Sequence, residues 1–234
     1  MIFIRSLILF LLQLVITPVF TLIAILAFPL HPITRYRLIS GWALLMMWLL
    51  RALCGIRMEV KGAENIPAQP RILLCKHQSA WETIALQKVF PPQVWVLKRE
   101  LLWLPFFGWG LAMTSPIAIK RSDGKGAMKQ LLKQGKERME MGFCVVIFPE
   151  GTRIPYGKKG KYKMGGALLS ASTGVPVVPI AHNAGKLWGR NSFMKHPGVI
   201  TMSIGREIDP AGLKAEEINQ RVEAWIEAEV ARIQ

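Results

Sequence analysis

Residues 6–30 carry no Asp, Glu, Lys or Arg, and this restricts the fold more than anything else in the chain. An uncharged stretch of that length satisfies its backbone as a helix and is long enough to cross a hydrocarbon core of about 30 Å. Pro18 is a point at which it can kink. A secretory signal would have a shorter apolar core and a small-residue cleavage site. A second apolar run, residues 38–50, is closed by Arg51 and holds Trp42 and Trp48. Its length suits an interfacial or re-entrant helix. If both runs crossed a bilayer, Arg35 and Arg37 would lie opposite Arg51 and Arg57, against the tendency of basic loops to stay on one side. Residues 1–55 are therefore expected to anchor the chain, either as one span with an interfacial helix or as a two-helix hairpin dipping into one leaflet. The bulk of the positive charge then lies on the cytoplasmic side.

That charge is large. Of 234 residues, 30 are Lys or Arg and 15 are Asp or Glu, a net +15, yet 51% are hydrophobic. Disordered basic tails are polar, so this is not one. Basic and apolar together point to anionic membrane lipids, or to acidic substrates at a membrane. Nucleic acid is not expected as a partner, because no helix-turn-helix, zinc or RNP signature is present. Cys54, Cys75 and Cys144 are odd in number and form no CxxC, which fits a reducing compartment better than a disulfide framework. No metal-ligand spacing, P-loop or dinucleotide fingerprint occurs, so no cofactor is expected.

Residues 56–234 alternate strand-like and helix-like segments. "RMEVKG", "RILLC", "VWVLK", "PIAIKR", "FCVVIF", "VPVVPI" and "VITMSIG" read as strands, and residues 79–89, 123–141, 165–174 and 213–233 as helices. This pattern predicts an α/β domain with a largely parallel sheet, whose site is built by loops at strand ends.

Those strand ends carry the candidate chemistry. After "RILLC" come Lys76, His77, Gln78 and Ser79, and residues 79–82 read S-x-x-E before an apolar helix, the capping-box pattern. Glu82 is a cap worth about 1 kcal/mol, or the carboxylate that orients His77, or both at different oxygens. A histidine–carboxylate pair without its own serine suits a reaction whose substrate brings the hydroxyl. The imidazole takes that proton as the oxygen attacks an acyl carbonyl, and the acid fixes the tautomer. Cys75 shares a strand face with His77, but its apolar setting argues for an inert thiol. His182 is a second candidate base; His31 and His196 read as surface residues. In "FPEGTR", Gly151 lets the backbone approach a ligand, and Thr152 and Arg153 can hold phosphate oxygens. A polar turn with a surface Glu–Arg pair is the alternative. Lys98, Lys120 and Arg121 end other strands, and Lys158, Lys159, Lys161 and Lys163 follow in a loop, where they are either solvated or part of an anion site. Trp103, Phe106, Phe107 and Trp109 are core, membrane wedge or acyl-groove wall, with core expected for at least half.

Together these blocks resemble the membrane-bound glycerolipid acyltransferase family, in particular its 1-acyl-sn-glycerol-3-phosphate acyltransferases. His77-x4-Glu82 is similar to the family's His-x4-Asp block, with Lys76 for the usual Asn and Glu for Asp. "SPIAIKR" resembles the second block, "FPEGTR" matches the third, and "VPVVPI" resembles the fourth. The resemblance implies a glycerolipid acyltransferase-like fold, a mixed, largely parallel sheet flanked by helices behind a membrane-associated segment. It implies transfer of an acyl group from acyl-CoA or acyl-carrier protein to the sn-2 hydroxyl of lysophosphatidic acid. His77 would be the general base and Glu82 its orienting acid. Arg121, Glu150, Gly151, Thr152 and Arg153 would bind the glycerol phosphate, with Lys98 helping, and "VPVVPI" would line the acyl side. Lys76 would place a cation beside the base. The setting implied is the cytoplasmic membrane, with the catalytic domain on its cytoplasmic side. Another lysophospholipid or an aminolipid as acceptor, and a non-catalytic basic lipid-binding protein, stay open as alternatives.

Overall fold

The computed structural model describes residues 1–90 and 92–233, apart from the side chain of Arg121. Five apolar runs become strands that point the same way: β2 (Ile72–Cys75), β3 (Gln93–Lys98), β4 (Ile117–Ile119), β5 (Cys144–Ile147) and β6 (Val177–His182). β1 (Ile56–Lys61) and β7 (Gly198–Ile204) are parallel to each other, and β7 joins β6 antiparallel. The order is β1-β7-β6-β2-β5-β3-β4. β2, β5 and β6 are buried at every position, as strands covered on both faces must be. Because the five strands share one direction, His77, Lys98, Lys120, Phe148 and His182 arrive at the same edge of the sheet.

Helices cover both faces. Leu74 looks toward α6 (Gly165–Thr173), where Gly166 leaves no room for a Cβ. α6 packs between α5 (Gly124–Glu140) and α7 (Ala215–Arg232). The opposite face holds α3 (Trp81–Val89) and the hairpin of α1 (Ile2–Leu26) and α2 (Pro32–Cys54).

The second apolar helix is longer than its uncharged core suggested. His31 caps it, Pro32 occupies its first turn, and Gly55, at φ +68°, closes it in a left-handed conformation. Arg35 is buried rather than in a solvated loop: it donates to Phe28 O (2.9 Å) and Ser115 Oγ (3.0 Å). Thr21 Oγ1 donates to Phe106 O (2.8 Å), and Ser6 Oγ accepts from the Lys195 N–H (3.0 Å). The hairpin is thus fastened along the α/β body at both ends, and both helices are long and apolar enough to cross a membrane. The aromatic stretch also departs from expectation. Pro105, Gly108 and Gly110 confine it to a short turn and α4 (Phe107–Ala112) pressed against α1, so Trp103 (68% exposed), Phe106 and Trp109 are exposed rather than in the core, while Phe107 meets Trp42 edge-on and lines a cavity.

Candidate active site

β2 delivers His77 to the site and α3 delivers Glu82. Period-2 alternation puts Leu73, Cys75 and His77 on the hairpin side of the sheet, and Leu74 and Lys76 on the α6–α7 side. His77 Nδ1 lies 2.7 Å from Glu82 Oε1. The same oxygen accepts from the N–H groups of Gln78 (3.0 Å) and Ser79 (2.8 Å), and Oε2 accepts from Ser79 at 3.1 Å. Glu82 is therefore cap and orienting acid at once, and one oxygen serves both, not two separate ones. Ser79 Oγ accepts from the Trp81 N–H at 3.1 Å, which completes the helix start. The longer arm of Glu fits because α3 begins immediately after the loop, so the side chain folds back over its own first turn.

Glu82 is fully buried. Burial alone would raise its carboxyl, but the imidazoles of His182 and His77 and the Ser79 N–H outweigh this and hold it below the ordinary value. His182 Nε2 lies 3.8 Å from Glu82 Oε2. Its Nδ1 accepts from the Ala184 N–H (3.2 Å) and its Nε2 faces Lys76 O (2.8 Å), a pattern that requires the neutral Nε2–H tautomer. Burial also pushes its pKa down. His182 is thus a fully buried structural group with both nitrogens committed, not a second base. Burial likewise pushes the Cys75 thiol far up, which leaves it inert.

His77 Nε2 has no protein partner among the described residues, and the ring lines a cavity of ≈ 360 Å³. Phe148 stacks on that ring with centroids 4.0 Å apart. The walls are largely apolar and come from both parts of the chain: Phe20 of α1, Trp42 of α2, Ile84 of α3, Leu111 of α4 and Trp95 of β3. Arg153 lines the cavity, and its Nε is buried without a hydrogen-bond partner. Lys98 lines it too, half exposed and 3.6 Å from Glu100. Thr152 is exposed beside Arg153. The side chain of Arg121 lies outside the described residues.

Two expected ligand residues play other parts. Glu150 is buried and has both oxygens committed within the protein: Oε1 to Lys76 Nζ (2.7 Å), Oε2 to the His77 N–H (2.9 Å). Burial pushes its carboxyl up against the pull of Lys76. Gly151 donates its N–H to Phe148 O (2.9 Å) and takes φ +68°, where a Cβ would strike the Lys163 side chain; its role is the reversal of the loop. That reversal brings the Ile154 N–H to His77 O at 2.7 Å, so the loop grips the histidine backbone from both sides and seats Arg153 by the ring. Lys76 points away from His77 and is enclosed by carboxylates, not set beside the base. "VPVVPI" does not line the cavity; Val177, Val178 and Ile180 are sealed in the central sheet. The cavity roof from α1 and α2 carried no signal in the sequence beyond apolar character.

Residues 57–183 match the acyltransferase family. A Pseudomonas aeruginosa 1-acyl-sn-glycerol-3-phosphate acyltransferase is 50% identical over 203 residues, 85% of this chain and 79% of that protein. The alpha form from Mus musculus is 33% identical over 162 residues, 68% of this chain and 56% of its own length. In fold, the chain superposes on the crystal structure of the 1-acyl-sn-glycerophosphate acyltransferase PlsC from Thermotoga maritima with a TM-score of 0.82. That match covers 98% of this chain and 94% of that one at 21% identity.

Proposed function

The chain belongs to the acyltransferase family, and on that premise we propose that it acylates the sn-2 hydroxyl of 1-acyl-glycerol-3-phosphate from an acyl thioester, giving phosphatidic acid. The acyl donor is acyl-CoA or acyl-carrier protein. His77 Nε2 takes the hydroxyl proton as the oxygen attacks the thioester carbonyl. The resulting imidazolium returns that proton to the departing thiolate. Glu82 holds Nδ1–H and offsets the charge that develops on the ring. Arg153, with Thr152, Lys98 and Arg121, holds the glycerol phosphate, and the apolar cavity holds an acyl chain. The barrier falls chiefly through proximity of ring, hydroxyl and carbonyl.

The observation that carries this reading is the single cavity shared by His77, with its free Nε2, the unpartnered Arg153 Nε and the hairpin's apolar wall. The hairpin rests along the body, which favours dipping of residues 1–55 into one leaflet over spanning, with residues 56–234 as the catalytic unit. The site then meets lysolipid at the cytoplasmic face of the cytoplasmic membrane, where basic side chains attract anionic lipids. The test is an assay of the purified protein in lipid with lysophosphatidate and a panel of thioesters, beside His77→Ala. Transfer should fall by about 10³ in the variant while lysophosphatidate binding survives. An unchanged rate would rule the mechanism out.

A further inference from the structure

Strand alternation sends Lys76 into a buried cluster that the reaction above does not use. Its Nζ directs three donors to Glu150 Oε1 (2.7 Å), Glu227 Oε1 (2.7 Å) and Lys158 O (3.5 Å). That is the full donor capacity of an ammonium. Tyr162 O–H donates to the same Glu227 oxygen at 2.8 Å. The side chains of Lys76 and Glu150 are fully buried, and that of Glu227 is 20% exposed.

A buried ion pair is seldom more stabilising than apolar packing of the same volume, so stability alone does not account for this one. Its geometry supplies a reason. Glu150 uses its other oxygen on the His77 N–H. An unbroken chain of contacts therefore runs from α7 through Glu227, Lys76 and Glu150 to the backbone of the residue whose ring faces the cavity. With one ammonium between two carboxylates, Lys76 is the link common to both. Without it, Glu150 would be a buried carboxylate facing another, free to swing off the amide.

We propose that Lys76 is a positioning residue for His77: it locks Glu150 onto the His77 amide and ties that carboxylate to helix α7 through Glu227, so that the C-terminal helix sets the orientation of the ring. The proposal rests on His77 being the base of the acyl transfer described above.

The experiment is a double-mutant cycle on Lys76→Met and Glu227→Ala, with rates referred to the folded fraction and lysophosphatidate as acceptor. Lys76→Met should lower kcat about 100-fold, the scale of an ångström misplacement, with KM within about twofold. Glu227→Ala should lower kcat about tenfold, again with little change in KM. In the double variant the effects should be well short of multiplicative, because Glu227 acts only through Lys76. Glu227→Gln keeps the acceptor for both donors and should retain most of the rate. Wild-type kcat per folded molecule in Glu227→Ala, a rise in KM alone, or multiplicative effects would each overturn the proposal. If Lys76→Met does not fold, Glu227→Ala against Glu227→Gln decides it. Hydrogen exchange over residues 73–80 is followed in parallel and should quicken in Glu227→Ala; unchanged exchange also counts against the linkage. A wild-type protein that makes no phosphatidate would instead refute the assigned reaction, with exchange left to judge the linkage.

Discussion

Glu82 does two jobs with one carboxylate, and they can be separated by experiment. Its oxygen beside Nδ1 keeps the ring's other nitrogen turned to the cavity, and its contacts with the Gln78 and Ser79 amides start α3. Glu82→Gln should reduce kcat by about 10²-fold or more through the wrong tautomer, and cost about 1 kcal/mol of stability through the weakened cap. The acid limb gives an independent readout. The Glu82 pKa lies below its ordinary value, so the folded protein holds fewer protons than the unfolded chain in that window. The stabilisation is full above the ordinary carboxylate value and is lost as pH falls through the folded one. Melting temperature should therefore drop in acid, and by less in Glu82→Gln. Arg153 carries a different signature. Its buried Nε waits for an acceptor, so Arg153→Ala should raise the KM for lysophosphatidate about tenfold or more and leave kcat closer to wild type.

Among the elements, α6 lies close against β2. A Cβ at Gly166 has no space against Leu74, and close-packed interiors do not absorb an extra methyl freely. Gly166→Ala should cost about 1–3 kcal/mol, read as a fall in melting temperature in detergent. Exposed aromatic side chains lie in the turn before α4 and on α4 itself. Trp103 in that turn and Trp109 on α4 are 68% and 46% exposed, and α4 packs on α1, whose outer face is also apolar. An exposed apolar patch of this kind has the character of an insertion surface. Replacing both tryptophans by Ser should weaken partition into lipid vesicles about tenfold or more, measured by co-sedimentation.

For the molecule as a whole, a net charge of +15 acts together with two apolar helices. The two contributions respond differently to salt. Attraction to anionic lipid is screened within about 8 Å at physiological ionic strength, while apolar insertion is not. Partition into anionic vesicles should therefore weaken as salt rises from low to about 0.5 M. Partition into neutral vesicles should hold steady across the same range. Equal salt sensitivity on both would mean that the basic surface does not meet the lipid.

What the sequence determined by itself was whatever local pattern dictates. Apolar runs specified the strands, spacing specified the helices, and the order of "KHQSAWE", "SPIAIKR" and "FPEGTR" indicated that their loops share a sheet edge. The pairing of His77 with Glu82 was legible because five positions across a helix start bring the two within reach. What only the tertiary structure decided were partners distant in sequence. Glu150 looked like a ligand residue in a signature loop, yet its oxygens go to Lys76 and His77, more than seventy positions away. Glu227 stood in an ordinary amphipathic helix with nothing to mark it. The cavity roof from α1 and α2 was visible only as grease, and for the aromatic stretch after β3, where core was expected for at least half, the structure leaves the rings exposed and turns Phe107 to the cavity wall. Periodicity records which way a side chain points along its own element. Which other element stands there is fixed by how the layers close over one another, and that is settled by packing of the whole chain.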